Sequence, residues 1–326
     1  MSESLGRLVP SHLQPRSEAP ERSPGAPSTF VGRRVDFPDT HVRSAVDFAT
    51  IRYEVDGAVA TITLDRPDAA NAQSSRLISE LDAAFDRAEH DDEVRVVVLA
   101  AEGRHFSAGH DLKEILAGEE HWATQRDTPE GKLEHEQVMY WDKLVRIRDF
   151  PKPTIAAVQG ACAAAGMMLA SMCDLIVAAD DARFSNPVAR MSGVGVELLV
   201  EPWDLGPRQA KELLLCATTL DAHEAARLGL VNRVVPRAEL ASAARSMAEE
   251  VALVPPITAR AIKDTINHMV DLQGQRESWR YHFMVHQLVS NTAEALGRTA
   301  ARKAGGMDAV KREQAGDHTA RPDDPR

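Results

Sequence analysis

Five short runs of β-branched and small apolar residues mark the first half of the chain, each closed by a turn signal. They predict strands at Ile51–Val55, Val59–Leu64, Val94–Ala100, Thr154–Val158 and Asp174–Ala178. Between them the period changes. From Ser74 to Glu89 the apolar residues Leu77, Ile78, Leu81, Ala84, Phe85 and Ala88 recur every three or four positions, which predicts an amphipathic helix. Further helices are expected at Gln137–Asp149, Ala163–Met172, Gln209–Cys216 and Ala222–Leu228. From Leu240 onward the pattern is helical, with a break at Pro255–Pro256. No solenoid-length repeat is present. Strands alternating with helices place the chain in the α/β class.

The ends change that picture. Residues 1–46 are rich in Pro, Ser and Arg without an amphipathic period, and residues 305–326 read the same way, so both are expected to be disordered extensions. This leaves a core over 47–254 and a helical region over 255–304. The formal net charge of −11 excludes nucleic acid as a general partner. No stretch approaches a membrane span, and the N-terminus has no apolar signal core and carries Glu3, Glu18 and Glu21, so a cytoplasmic protein is expected. Cys162, Cys173 and Cys216 lack metal-ligand spacing and sit in apolar surroundings, as buried free thiols do.

Two stretches carry candidate chemistry. One is KPTIAAVQGACAAAGMMLASMCDLIVAADDARF, from Lys152 to Phe184; the other is FSAGHDLKE, from Phe106 to Glu114. Each sets a small-residue turn after a strand, where backbone N–H groups can approach a ligand closely. Two such turns aimed at one carbonyl oxygen form an oxyanion hole, suited to the enolate of a thioester.

These stretches, with ITLDRPDAANA (Ile62 to Ala72) and TLDAHEAARLGLVNRVVP (Thr219 to Pro236), resemble the crotonase superfamily, the enoyl-CoA hydratase/isomerase family. The resemblance covers roughly Ile51 to Val235. It implies a ββα-spiral fold with C-terminal helices that pack between subunits in a homotrimer or hexamer. It also implies an acyl-CoA thioester as substrate, with CoA as part of that substrate and no separate cofactor or metal. On this alignment the oxyanion donors are the backbone N–H groups of His110 and Ala165, with Gly109 and Gly166 lining the turns. Lys113 falls where the family often places a lysine near the CoA phosphates; a solvated lysine is the alternative.

The two glutamates usual in the family's hydratases fall on Met168 and Val188, neither of which can carry a proton. Another base is therefore expected. Glu197, just after Gly193 and Gly195, is the first candidate, because dienoyl-CoA isomerases of the superfamily draw an aspartate from nearly this turn. Its alternative is a carboxylate offsetting a helix dipole. Glu201, one helical turn on, is expected to share its face and could form an acid–base pair with it, or be solvated. PWDLGPRQAKELL is similar to a divergent subgroup in which an aspartate precedes Pro187; here that residue is Asn186.

The His110 ring is expected to pack behind its turn with only the backbone N–H in use, and His105 to lie on a loop surface. His282 and His286 are four apart but have no third ligand beside them in sequence, and His286 could reach the site across a subunit interface. Asp111 is expected to cap a short helix at Leu112–Leu116, and Asp174 to be structural. The polar stretch from Ala117 to Glu136 reads as a loop over the acyl site, with Trp122 either a lid residue or a surface anchor. Three functions stay open: an enoyl-CoA hydratase or isomerase, a non-catalytic acyl-CoA-binding paralogue, and a C–C hydrolase or decarboxylase using the same hole.

Overall fold

The structure, a computed structural model, describes residues 48–117 and 128–316. The N-terminal extension and Trp122 lie outside these. The chain begins with β1 (Ile51–Asp56), β2 (Val59–Leu64), α1 (Ser75–Glu89), β3 (Val96–Ala101) and α2 (Leu112–Ala117). Next come α3 (Pro129–Glu136), α4 (Lys143–Arg148), β4 (Thr154–Val158), β5 (Ala161–Ala163) and α5 (Ala165–Ser171). Then follow β6 (Leu175–Ala179), β7 (Arg183–Ser185), α6 (Glu201–Asp204), α7 (Pro207–Leu215), β8 (Thr219–Asp221), α8 (Ala222–Leu228) and β9 (Arg233–Val235). Four helices complete the chain: α9 (Leu240–Ala252), α10 (Pro256–Leu272), α11 (Gln275–Ser290) and α12 (Ala293–Gln314).

The larger sheet runs β1-β2-β3-β4-β6-β9, parallel except for the β1–β2 hairpin. Its central strands are buried on both faces, which is why they read as continuous apolar runs. Alternate residues face opposite ways. Ala60, Ile62, Val97, Leu99, Ala156, Val158 and Ile176 enter the main core, where α1 and α5 also pack. Val59, Val96, Val98, Ile155, Ala157 and Val177 enter a second core closed by Leu240, Ala244, Met247 and Ala248 of α9. Ser74 caps α1, its side chain accepting from the Leu77 N–H at 3.2 Å.

A smaller sheet, β5-β7-β8, was not expected from the sequence. Its strands have three residues each, too few to show a period. The chain twice passes from the large sheet directly into the small one, β4 to β5 and β6 to β7. After β3, Ser107 bridges Cys162 in the same manner. Each pass ends beside the small sheet, so the segments after β3 and β4 lie side by side. This is the mixed α/β spiral with C-terminal helices that the resemblance implied.

Several expectations need correction. The second half of the expected loop, Pro129–Glu136, is helical; Thr128 caps it, its hydroxyl accepting from the Gly131 N–H at 3.1 Å. A π-helical stretch, Gln137–Asp142, joins it to α4. The chain does not lose order at residue 305. Helix α12 continues to Gln314 across a break at Gly306 (φ 59°), because Val310 is buried and Arg302 Nη1 donates to Glu313 Oε2 at 2.8 Å. Cys162 and Cys173 are buried, but Cys216, on the exposed end of α7, is not.

Candidate functional site

The segments after β3 and β4 meet at Gly109 and Gly166. A side chain on Gly109 would lie 2.9 Å from the Ala163 carbonyl oxygen and 3.3 Å from the Ala165 nitrogen; its φ of +93° also excludes one. A side chain on Gly166 would come within 2.5 Å of the Ser107 carbonyl oxygen. Only glycine lets the two backbones approach this closely. The loop from Ser107 to Asp111 is fixed by polar contacts. Ser107 Oγ donates to the Asn71 carbonyl at 2.9 Å, Gln73 Nε2 donates to the Ala165 carbonyl at 2.9 Å, and the Gly109 carbonyl accepts from the Gln73 N–H at 2.8 Å.

The backbone N–H groups of His110 and Ala165 stand next to this contact, and among the described residues neither donates to a protein acceptor. Ala165 begins α5, so its N–H is one a helix leaves unpaired. The strained position is the residue before it. Ala164 has φ 49° and ψ −113°, held by its N–H donating to the Ser185 carbonyl at 2.8 Å. Asp111 closes the turn: Oδ1 accepts from the N–H groups of Lys113 and Glu114, and Oδ2 pairs with Arg66 Nη2 at 2.8 Å. Lys113 is exposed.

The His110 ring does not merely pack behind its turn. Its Nε2 lies 2.9 Å from Glu197 Oε2, and its face lies 4.2 Å from the Tyr140 ring. Glu197 is 2 % exposed. The backbone on both sides of it is pinned by α11. His282 Nε2 donates to the Val196 carbonyl at 2.7 Å, and Trp279 Nε1 donates to the Leu199 carbonyl at 3.0 Å. The Leu198 N–H meets Met168 Sδ at 3.4 Å. Met168 is thus wholly buried beneath the Glu197 segment, while Val188 is half-buried in a short 3₁₀ turn against the main core. Burial alone would push the Glu197 carboxyl up, but the charge and hydrogen bond of His110 hold it below the usual carboxylate range. Glu136 opposes that effect and His286 adds to it.

Glu201 does not share a helix face with Glu197. Helix α6 starts only at Glu201, and Glu197 lies in the bent segment before it. Glu201 points elsewhere: Oε1 accepts from Asn186 Nδ2 at 2.6 Å, while Oε2 is sealed without a hydrogen-bond partner among the described residues. Burial pushes its carboxyl up. Asp204, on the same turn, is pushed up to about 7 by burial and then by the charge of Glu201.

The structure supplies a group that the sequence did not single out. Glu136, at the end of α3, lies against His286 of α11 with Oε2 3.2 Å from Nε2, and Gln287 Nε2 donates to the same oxygen at 2.6 Å. His286 therefore reaches the site within its own chain rather than across an interface. Donor atoms of Glu136, Glu197 and His286 all lie within 4.8 Å of one another. His282 is not part of this trio. The ring of His105 is not on a loop surface either: Nδ1 accepts from the Ala161 N–H at 3.0 Å, and burial pulls its pKa down.

A spiral α/β core whose two strand-end turns present unpaired N–H groups side by side, with a buried carboxylate beside one of them, is the architecture of a crotonase. The family model described as enoyl-CoA hydratase/isomerase matches residues 54–303, and the chain belongs to that family. It is 42 % identical to EchA13 of Mycobacterium tuberculosis over 257 residues, 74 % of this chain and 81 % of that one. A crystal structure of a probable enoyl-CoA hydratase from Mycobacterium smegmatis is 47 % identical, covering 74 % of this chain and 93 % of that one with a TM-score of 0.69. An enoyl-CoA hydratase/isomerase from Xanthobacter autotrophicus Py2 is 30 % identical over 83 % of this chain and 99 % of that one, with a TM-score of 0.74.

Proposed function

We propose that the chain acts on an acyl-CoA thioester, as an enoyl-CoA hydratase or double-bond isomerase with a base other than the family's usual pair. The thioester oxygen accepts from the His110 and Ala165 N–H groups, Glu197 takes the α-proton, and the electron pair of the broken C–H bond moves onto that oxygen as an enolate. The observation that carries this reading is the 2.9 Å contact between Glu197 and the residue whose backbone donates to the oxyanion. The motif resemblance supports it from the other side, since on it the usual glutamates fall on Met168 and Val188.

A carboxylate held below its usual range is a weak base, so the oxyanion hole must carry much of the stabilisation. One donor is worth about 10²- to 10³-fold in rate in comparable sites. Glu197→Gln should lower turnover by about 10²- to 10⁴-fold while acyl-CoA binding persists. Unchanged turnover in that variant refutes Glu197 as the base.

We further propose self-association through the C-terminal helices, as a trimer or hexamer. Ile257, Ile262, Ile266, Met269 and Leu272 of α10 and Tyr281, Met284 and Leu288 of α11 are exposed, a run of apolar surface characteristic of interfaces. Among the described residues no helix is long and apolar enough to cross a membrane, so this surface is not a span.

A further inference from the structure

The pair formed by Glu136 and His286 is not used by the mechanism above. Three separate elements bring the trio together: α3 carries Glu136, the bend before α6 carries Glu197, and α11 carries His286. Glu136 and Glu197 are each 2 % exposed. Burying two carboxylates this close is costly unless each is matched. Each has an imidazole on it, His286 at 3.2 Å and His110 at 2.9 Å, and Glu136 also has the Lys132 ammonium 3.8 Å from Oε1. The site therefore holds two carboxylate–imidazole pairs side by side. The wide π-helical turn after Glu136 serves both, because Tyr140 within it stacks on His110.

A metal ion could be held by the same trio, but the surroundings of His286 favour a shared proton. A ligating imidazole ordinarily donates its other N–H to an acceptor. His286 Nδ1 is sealed among the described residues with no such acceptor, whereas Nε2 already faces Glu136 Oε2. Gln287 then fixes the carboxylate from the far side at 2.6 Å.

We propose that Glu136–His286 is the second proton-handling pair of this site and that the reaction it completes is double-bond migration. The proposal rests on the acyl-CoA reading above. Glu197 breaks the α C–H bond of a 3-enoyl thioester and keeps the proton, and the electron pair spreads over a dienolate held by the His110 and Ala165 N–H groups. The proton shared by His286 Nε2 and Glu136 Oε2 forms the new C–H bond at the γ-carbon, giving the 2-enoyl thioester. The proton on Glu197 then passes to the vacated pair through one bridging water, the donor atoms of the three residues all lying within 4.8 Å of one another, so the site is reset with no co-reactant. The α- and γ-carbons are next-but-one neighbours, so one bound pose can present each to its own pair.

The test separates the two proton transfers in the full-length protein. A saturated acyl-CoA incubated in D₂O reports α-proton exchange, in which Glu197 breaks and remakes the C–H bond, and a 3-enoyl-CoA reports the whole isomerisation. Glu136→Gln and His286→Gln, each verified to bind acyl-CoA, should lose isomerisation by about 100-fold or more and change exchange by about tenfold at most, since the charges of both residues also act on Glu197. Glu197→Gln should lose both. Isomerisation at the wild-type rate in both Glu136→Gln and His286→Gln overturns the proposal. So does parallel loss of exchange and isomerisation, which would make the pair a support for Glu197, and so does activity that EDTA removes and zinc restores. A wild-type protein that exchanges no α-proton overturns the acyl-CoA reading itself.

Discussion

Asp204 offers a sharp test of the buried polar layer beneath the site. Its Oδ2 is sealed from solvent with no well-formed hydrogen bond among the described residues, and burial, opposed by Ser171 and aided by the charge of Glu201, pushes its carboxyl from an ordinary 3.8 up to about 7. A raised pKa means that the folded protein binds this proton more tightly than the unfolded chain. The associated stability is fully present below the unfolded value and is lost as pH rises through the folded one. The displacement, at about 1.4 kcal/mol per pH unit, caps the loss between pH 4 and pH 8 near 4 kcal/mol; partial solvent access to the residue reduces this to about 2–4 kcal/mol.

Asp204→Asn removes the titration while keeping the shape. Urea unfolding of both proteins at half-unit steps from pH 4.5 to pH 8 is the assay. Glu201, also pushed up, and buried His282, pulled down, contribute to both curves, so the difference between the curves reports Asp204 together with its coupling to Glu201. The variant should gain about 2–4 kcal/mol over wild type at pH 8, or roughly 5 °C or more in Tm, and only about a quarter of that gain at pH 4.5. Parallel curves would show that Asp204 is solvated and that the layer is not sealed.

Other outcomes follow from the same contacts. Gly109→Ala should destabilise the fold by about 2 kcal/mol or more, since it combines a left-handed backbone with a 2.9 Å approach to the Ala163 carbonyl; thermal melts check this. Lys263→Met should cost about 3 kcal/mol, because it leaves Asp174, whose Oδ2 lies 2.9 Å from the Lys263 amine, without its cation at neutral pH; denaturant titration measures the loss. Ile262→Asp with Ile266→Asp should leave the circular dichroism spectrum unchanged and shift the solution mass towards the monomer; an unshifted mass refutes the C-terminal helices as the interface.

Much of the large sheet was legible because its strands are long, β-branched and buried on both faces. Helix α1 declared itself by its period. The three-residue strands of the small sheet carry no period and emerge only from pairing. Glu197 was singled out by the family resemblance at the turn after Gly193 and Gly195, but its contact with His110 was not legible, since no local signal marks that ring as turning toward a residue 87 positions on. Glu136 sits in an acidic run, EGKLEHE, with nothing to separate it from its neighbours. Only contact with His286 and Gln287, about 150 positions away, distinguishes it. Glu201 misled because helical spacing was assumed across a segment that is bent. The tail from residue 305 misled because its composition shows no amphipathic period, whereas buried Val310 and the Arg302–Glu313 ion pair carry α12 to Gln314.

The central claim is that this fold performs proton chemistry next to a thioester carbonyl with Glu197 as base. Mass-resolved turnover of a panel of 2- and 3-enoyl-CoA thioesters, by wild type and Glu197→Gln side by side, tests it most directly. The account predicts a product of unchanged mass from a 3-enoyl substrate with wild type, and none with the variant, although both bind. Binding without conversion of any thioester by the wild-type protein would contradict it and make the chain an acyl-CoA-binding member of the family.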